Sequence, residues 1–277
     1  MKTLAVLMTV HNRRDSTLRC LDLLYSQEIP NEVKLFVYLT DDGCTDGTPQ
    51  VVKERYPDVF VVQGDGTLFW NMGMRKAWEE AAKTEYDYYL WLNDDTFLYG
   101  DSIKRVISTS LDNNDSALLV GSTCSPDDNT RITYGGWVGN SLIADTSKSY
   151  RCDTINGNVV LVPKSVFDIL GFNTTIFKHR GGDTDYGIRA NEKGIPVLTV
   201  PGVIGECARH DSIPIWKDPS QPLSRRWKNF FSPLGANPFE FFRFRKLHYG
   251  IFPAIKTFIT NFFHVLFPSL WEAKRKN

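Results

Sequence analysis

The sequence has no paired-cysteine spacing, no internal repeat and no net charge, and each absence narrows what the chain is. Its five cysteines, Cys20, Cys44, Cys124, Cys152 and Cys207, are odd in number and widely spaced. That excludes a zinc ribbon and a disulfide scaffold and reads as reduced thiols in a cytosolic protein. The apolar start, Leu4 to Met8, is too short for a signal peptide and runs at once into His11-Asn12-Arg13-Arg14-Asp15. A first strand is expected there, not an export signal. Gly64-Asp65-Gly66 is not a dinucleotide fingerprint, because the third glycine of that pattern would fall at Phe69. The zero net charge hides an asymmetry: residues 217–277 carry eleven Lys/Arg against three Asp/Glu, leaving 21 against 29 in the rest of the chain. A basic tail on an acidic body points to an anionic surface met by the tail alone, and not to a nucleic-acid-binding body.

What is present begins with alternation. Leu4–Val10, Val33–Thr40, Val59–Gln63 and Tyr88–Asn93 have strand character, and between them Ser16–Gln27, Gly47–Tyr56 and Met72–Thr84 have helix-like composition, with Asp15 and Asp46 available as caps. A mainly parallel sheet with crossover helices follows. Beyond it, shorter strands are expected at Arg131–Gly136, Ile155–Pro163 and Val197–Val200, and a helix over Pro163–Leu170. Each early strand ends in polar residues: Thr9/His11/Asn12, Asp41-Asp42-Gly43, Gly64-Asp65-Gly66 and Asn93-Asp94-Asp95. Ligands of open α/β sheets bind outside the carboxyl ends of the strands, so these four clusters should line one crevice.

The clusters carry chemistry as well as turns. Asn93-Asp94-Asp95 delivers two carboxylates at the exposed end of a buried strand, which suits Mg²⁺ or Mn²⁺ shared with a diphosphate; a turn capping the next helix is the plainer reading. Asp41 or Asp42 is placed to accept from a base N–H or a ribose hydroxyl, while Asp46 caps. The Gly64-Asp65-Gly66 loop lets backbone approach a ligand, and Arg75 on the following helix is placed to meet a phosphate or else faces solvent. Behind Gly181-Gly182, Asp183 and Asp185 offer the positioned carboxylate that an attacking hydroxyl needs, and the same residues fit a helix cap and its first turn. His210 stands as a third metal or diphosphate contact, against the structural role that a lone histidine usually has.

From Gly250 to Trp271 the chain is aromatic-rich, and Lys256, Thr257, Thr260, Asn261 and His264 recur at helical spacing as a narrow polar stripe beside a broad apolar face. Pro253, Pro268 and Lys256 argue against a spanning helix. With Arg243, Arg245 and Lys246 before it and Lys274, Arg275 and Lys276 after it, an interfacial helix on anionic lipid is expected, giving peripheral membrane contact through residues 243–277. Packing on the body or across a homodimer is the alternative.

With Thr9-Val10-His11-Asn12-Arg13, Asp41-Asp42-Gly43-Cys44-Thr45-Asp46-Gly47, Asn93-Asp94-Asp95-Thr96 and Gly182-Asp183-Thr184-Asp185 in this order, the chain resembles the family 2 glycosyltransferases of the GT-A fold from Leu4 to Gly205. Gly64 through Trp70, His179 through Arg189, Ser232-Pro233-Leu234-Gly235 and Arg245 through Gly250 resemble, more softly, its rhamnosyltransferase-like branch in cell-surface polysaccharide synthesis. The resemblance implies a GT-A domain over residues 1–210, with a nucleotide-binding half (1–96) and an acceptor-binding half (97–210), followed by a helical extension (211–277). It implies that Thr9, Asn12 and Asp41 contact the nucleoside with Asp65 nearby, that Asp95 holds the metal, and that Asp94 touches ribose or donor sugar. Arg13, Asp42, Gly66, Arg75 and Asn93 complete the expected nucleotide-sugar contacts. Asp183 would be the base of an inverting transfer, with Asp185 its rival because Gly182 stands where the family usually has an acid. The implied partners are a dTDP- or UDP-sugar donor, with dTDP-rhamnose the preferred guess, and a saccharide or polyprenyl-linked acceptor at the inner face of the cell membrane. Two readings compete: a sugar-1-phosphate nucleotidyltransferase, disfavoured because Thr9–Arg14 lacks glycine, and a membrane-docked interaction protein whose acidic clusters are only turns.

Overall fold

In the computed structural model, which describes residues 1–209 and 213–269, the strand and helix alternation becomes a layered α/β unit followed by helices. The elements run β1 (Lys2–Val10), α1 (Arg14–Tyr25), β2 (Val33–Asp41), α2 (Thr48–Arg55), β3 (Phe60–Gln63), α3 (Phe69–Ala81), β4 (Tyr88–Leu92) and β5 (Phe97–Leu98). Then come α4 (Ser102–Asp112), β6 (Leu118–Ser125), β7 (Asp128–Tyr134), β8 (Gly136–Val138), β9 (Ser141–Leu142), β10 (Thr154–Ile155), β11 (Val159–Pro163) and α5 (Lys164–Leu170). The chain continues through α6 (Gly182–Glu192), β12 (Val197–Glu206), α7 (Leu223–Phe230), α8 (Pro238–Tyr249) and α9 (Ile251–Leu266).

Among the described residues nine strands form one sheet in the order β3-β2-β1-β4-β11-β6-β12-β5, with β7 beside β6, and β10-β8-β9 form a small second sheet. The block β3-β2-β1-β4 is parallel, and β12 runs parallel to β6. β11 enters antiparallel between β4 and β6, the point where the nucleotide-type half gives way to a mixed one. Period-two patterning decides the packing. Leu4, Val6, Met8 and Val10 of β1 point into one core with Tyr88, Leu90 and Leu92 of β4, while Ala5 and Leu7 point into another with Tyr89 and Trp91. Both faces are therefore covered, as a parallel sheet requires. The second core centres on Trp78 of α3, whose ring lies 5.6 Å from Trp91 and 5.6 Å from Tyr186 of α6. This aromatic packing fixes α3 and α6 against the β4 strand.

The described residues divide into two compact units, one of residues 1–174 with 181–209, the other of residues 175–180 with 213–269. The second unit has its own small core of Trp216, Phe230, Ala236 and Val265.

Candidate active site

Parallel pairing of β1 with β2 and β4 brings their carboxyl ends to one edge, with Val10 opposite Asp41. The turns that follow are locked together by the carboxylates the sequence singles out. Asp42 is buried and accepts from three backbone N–H groups, those of Gly66 (2.9 Å), Leu68 (3.2 Å) and Phe69 (2.8 Å), so it holds the loop that opens α3. Phe69 takes a left-handed φ of 56° at that anchor. Asp41, also buried, accepts from Cys44 N (2.8 Å) and Gln63 Nε2 (3.3 Å). A Cβ on Gly43 would stand 2.8 Å from the Cα of Gly66. The close backbone approach expected at this loop is thus an approach to the neighbouring turn.

Asp46 ties the starts of two helices, accepting from Arg14 N (3.0 Å) and from Thr48 N (3.1 Å). Asp15 is no cap: it lies inside the first turn of α1, after Arg13 at the N-cap position. Asn12 accepts from Thr45 N at 2.7 Å, and Thr9 lies against α3 at Gly73, where a Cβ would meet its Oγ1 at 2.1 Å. Asp65 is taken up in its own turn by Thr67 N at 2.8 Å. Arg75 is not among the groups gathered at the strand ends. Its Nε reaches Glu79 at 2.7 Å, its Nη1 donates to the Asn173 carbonyl, and its guanidinium lies over the Phe172 ring.

At the end of β4 the two adjacent carboxylates share one cation. Arg13 Nη1 lies 3.2 Å from Asp94 Oδ1 and 2.6 Å from Asp95 Oδ2. Asp94 is buried, and burial pushes its carboxyl up to about 7, with the Asp95 charge adding to the rise and Arg13 opposing it. Asp95 is the more open of the two, with its side chain 27% exposed. Behind it, burial and then the Asp95 charge raise the Cys207 thiol to about 12, so the sulfur at 3.8 Å from Asp95 Oδ1 is a protonated neighbour. Asn93 accepts from Trp70 Nε1 at 2.6 Å.

Trp70 is the residue that sequence reasoning left without a role, and it connects the two acidic clusters. Its ring packs where a Cβ on Gly157 would stand, 2.3 Å from Cζ2, and the Gly157 N–H donates to Asp183 Oδ2 at 3.0 Å. The signal was present in the large aromatic beside the Gly64-Asp65-Gly66 loop, yet its partner Gly157 is far away in sequence.

Asp183 and Asp185 have opposite environments. Gly181 takes the N-cap position of α6, so Asp183 is not the cap but sits in the first turn. Its other oxygen accepts from Thr184 N at 2.8 Å. Burial raises its carboxyl above the ordinary carboxylate range, with the backbone N–H groups of Thr184 and Gly157 pulling the other way. Asp185 has no exposed surface and is clamped by Arg189 Nε at 2.8 Å, whose guanidinium also donates to the carbonyls of Leu170 and Phe172. Gly182 has its own reason: a Cβ there would stand 1.8 Å from Asn71 Oδ1. That buried amide donates to the Thr174 carbonyl at 2.8 Å and accepts from Asn173 Nδ2 at 2.6 Å, filling the space an acidic side chain would need.

His210 lies outside the described residues. Among the described residues no group of three or more His, Cys, Asp or Glu side chains is arranged to hold a metal by itself.

Comparison with known proteins agrees with this layout. The structure is similar to Staphylococcus aureus TarS, at TM-score 0.57 and 14% identity over 75% of this chain and 37% of that one. It is similar to the TarS 1–349 form crystallised with UDP, at TM-score 0.57 and 14% identity over 75% of this chain and 60% of that one. The same form with UDP-GlcNAc gives TM-score 0.57 and 14% identity over 77% of this chain. The chain thus spans 37% of the longer TarS chain and 60% of the 1–349 form, and the likeness is one of GT-A-like fold. No curated protein gives a significant match. The family model described as glycosyl transferase family 2 matches residues 5–172, more than half of the chain and every strand-end cluster up to Asp95, though not Asp183. The chain belongs to glycosyl transferase family 2 and is a glycosyltransferase.

Proposed function

We propose that the chain transfers a sugar from a pyrimidine nucleoside diphosphate donor to an acceptor hydroxyl with inversion, using Asp183 as the base. The observation that carries this reading is the contrast within α6: Asp183 is half-buried and oriented by two backbone N–H groups, whereas Asp185 is fully buried and paired with Arg189. A carboxylate whose pKa is raised is the better proton acceptor. Asp183 takes the hydroxyl proton as the acceptor oxygen attacks the anomeric carbon from the face opposite the diphosphate. The glycosidic C–O bond breaks, and its electrons leave with the diphosphate. No protein nucleophile enters.

In this reading residues 1–96 hold the donor and residues 97–210 the acceptor. Thr9, Asn12, Asp41 and Asp65 surround the nucleoside. Asp42 and Gly66 shape the loop, and Asp94, Asp95 and Asn93 face the diphosphate and sugar. The donor set fits Mg²⁺ or Mn²⁺: two adjacent carboxylate oxygens already gather one positive group, Arg13, and such ions usually take one or two carboxylates plus substrate phosphates. When bound, the ion would supply positive charge to the leaving diphosphate through Asp95. Arg13 supplies positive charge to the same carboxylates and, turned outward, to the phosphates. UDP and UDP-GlcNAc in the TarS complexes favour a UDP-sugar, and the softer branch resemblance favours dTDP-rhamnose. The acceptor is a saccharide or a polyprenyl-linked saccharide, on the branch resemblance, and a cytoplasmic site of action is in keeping with the five free thiols.

Calorimetric titration of UDP, dTDP and GDP, each with and without Mn²⁺, into wild type and Asp95→Ala tests this. Metal-dependent binding of one pyrimidine nucleotide, lost in the variant, is the expected result. Absence of nucleotide binding under every condition would remove the donor site.

A further inference from the structure

Helix α9 is inside out. Its inward face, Ala254, Phe258, Phe262 and Val265, packs on the second unit's core, with Phe262 5.2 Å from Phe230 and Phe258 6.0 Å from Phe239. Of the polar residues that the sequence places in one narrow stripe, Thr257, Thr260, Asn261 and His264 are half-buried and Lys256 is exposed. The face turned to solvent is instead Phe252, Ile255, Ile259, Phe263 and Leu266, at successive spacings of three or four residues, with Phe252 82% and Phe263 53% exposed. A row of large apolar side chains along four turns is far from the scattered exposure that needs no explanation.

Two observations identify what covers it. Between Phe241 and Trp271 the sequence has no Asp or Glu, while Arg243, Arg245, Lys246 and Lys256 supply positive charge, and Arg243, Lys246 and Lys256 are exposed. Where this face borders the packed one, a groove of about 200 Å³ is lined by Ile259, Phe263 and Leu266 with Phe258 and Phe262 of the packed face, and no polar side chain is among them. Specific ligand pockets carry a few placed polar groups that fix orientation, and this groove has none, which suits hydrocarbon chains of no fixed register. Among the described residues no helix is long and apolar enough to cross a membrane.

We propose that the exposed face of α9 is a membrane-docking surface that lies in the headgroup region of an anionic bilayer. The apolar row enters the acyl boundary, and the basic residues of α8 and α9 meet lipid phosphates. This surface is independent of the sugar-transfer reading, since it involves neither donor nor metal.

The test is co-sedimentation of the full chain with vesicles of phosphatidylcholine alone and of phosphatidylcholine mixed equally with phosphatidylglycerol. Three proteins are compared: wild type, Ile259→Ser/Phe263→Ser, and Lys246→Glu/Lys256→Glu. The mutated side chains are exposed, and circular dichroism with sedimentation velocity checks that each variant is folded and reports its oligomeric state. The expected result is binding to anionic vesicles that weakens with salt. It should fall by about tenfold or more in the apolar variant, and by a similar factor in the charge variant, on the basis of roughly fivefold per basic residue. The proposal is overturned if wild type binds neither vesicle, or if both folded variants bind as wild type does. It is equally overturned if wild type sediments as an oligomer that the apolar variant dissociates while vesicle binding is absent, which would assign the face to a second copy of the chain.

Discussion

The acidic pair at the end of β4 and the acidic pair at the start of α6 solve the same electrostatic problem in different ways. In the first, one arginine spans both carboxylates, and Asp94 is buried while Asp95 stays partly open. In the second, the arginine takes Asp185 alone and leaves Asp183 to two backbone N–H groups. In the β4 pair the shared cation only opposes the burial that raises Asp94, and another cation can take its place; a split pair produces one structural anion and one basic one. The β4 pair thus reads as a cation site and the α6 pair as a base with its support.

The largest expected effect sharpens the second half of that contrast. Asp183→Asn should lower kcat by about 10² to 10⁴-fold with little change in nucleotide affinity, checked by steady-state kinetics beside calorimetry. Asp185→Asn should act on the fold instead. It leaves the Arg189 guanidinium without its buried counter-charge, costing about 3–5 kcal/mol, read as a lowered denaturation midpoint. Asp95→Ala should abolish the metal dependence of nucleotide binding, whereas Asp94→Asn should retain part of it, because Asp95 still faces the ion.

Smaller effects probe the packing that separates the pairs. Gly182→Ala forces a methyl onto the Asn71 amide and should destabilise by about 1–3 kcal/mol. Combined with Asn71→Ala the loss should be less than the sum, as contacting positions require, which a double-mutant cycle of unfolding free energies measures. The pH profile gives the finest test. Burial raises the Asp183 carboxyl, and the base works only when deprotonated, so activity is lost as pH falls through that raised value. The acidic limb of kcat/KM should therefore lie above the ordinary aspartate value of about 3.9.

Much of this was legible in the sequence for a physical reason. Strands β1, β2 and β4 announce themselves by apolar runs, and β3 by a short β-branched one, all ending in polar turns; a parallel sheet puts those ends together, so the strand-end clusters follow from one-dimensional pattern. What the pattern cannot carry is side-chain pairing across long separations. That Asp42 is spent on three N–H groups of the α3 loop, that Arg75 turns to residues 172 and 173, and that Asn71 explains Gly182 all depend on tertiary approach. Asp183 and Asp185 look alike in sequence because Arg189 is a helical turn beyond the motif. The broad apolar face of α9 was legible as well, but not which of its residues pack on protein and which stay exposed. Amphipathic spacing defines two faces but not which one packs, and the aromatics of α7 and α8 chose the face with Phe258 and Phe262.

The most direct measurement is the single-turnover rate of nucleoside diphosphate release from the bound donor, with acceptor or water as the attacking hydroxyl, in Asp183→Asn and Asp185→Asn at matched folded fraction. The account predicts a rate collapsed in Asp183→Asn and near wild type in folded Asp185→Asn. A folded Asp183→Asn that turns over like wild type, or a folded Asp185→Asn that has lost the chemistry, would contradict it.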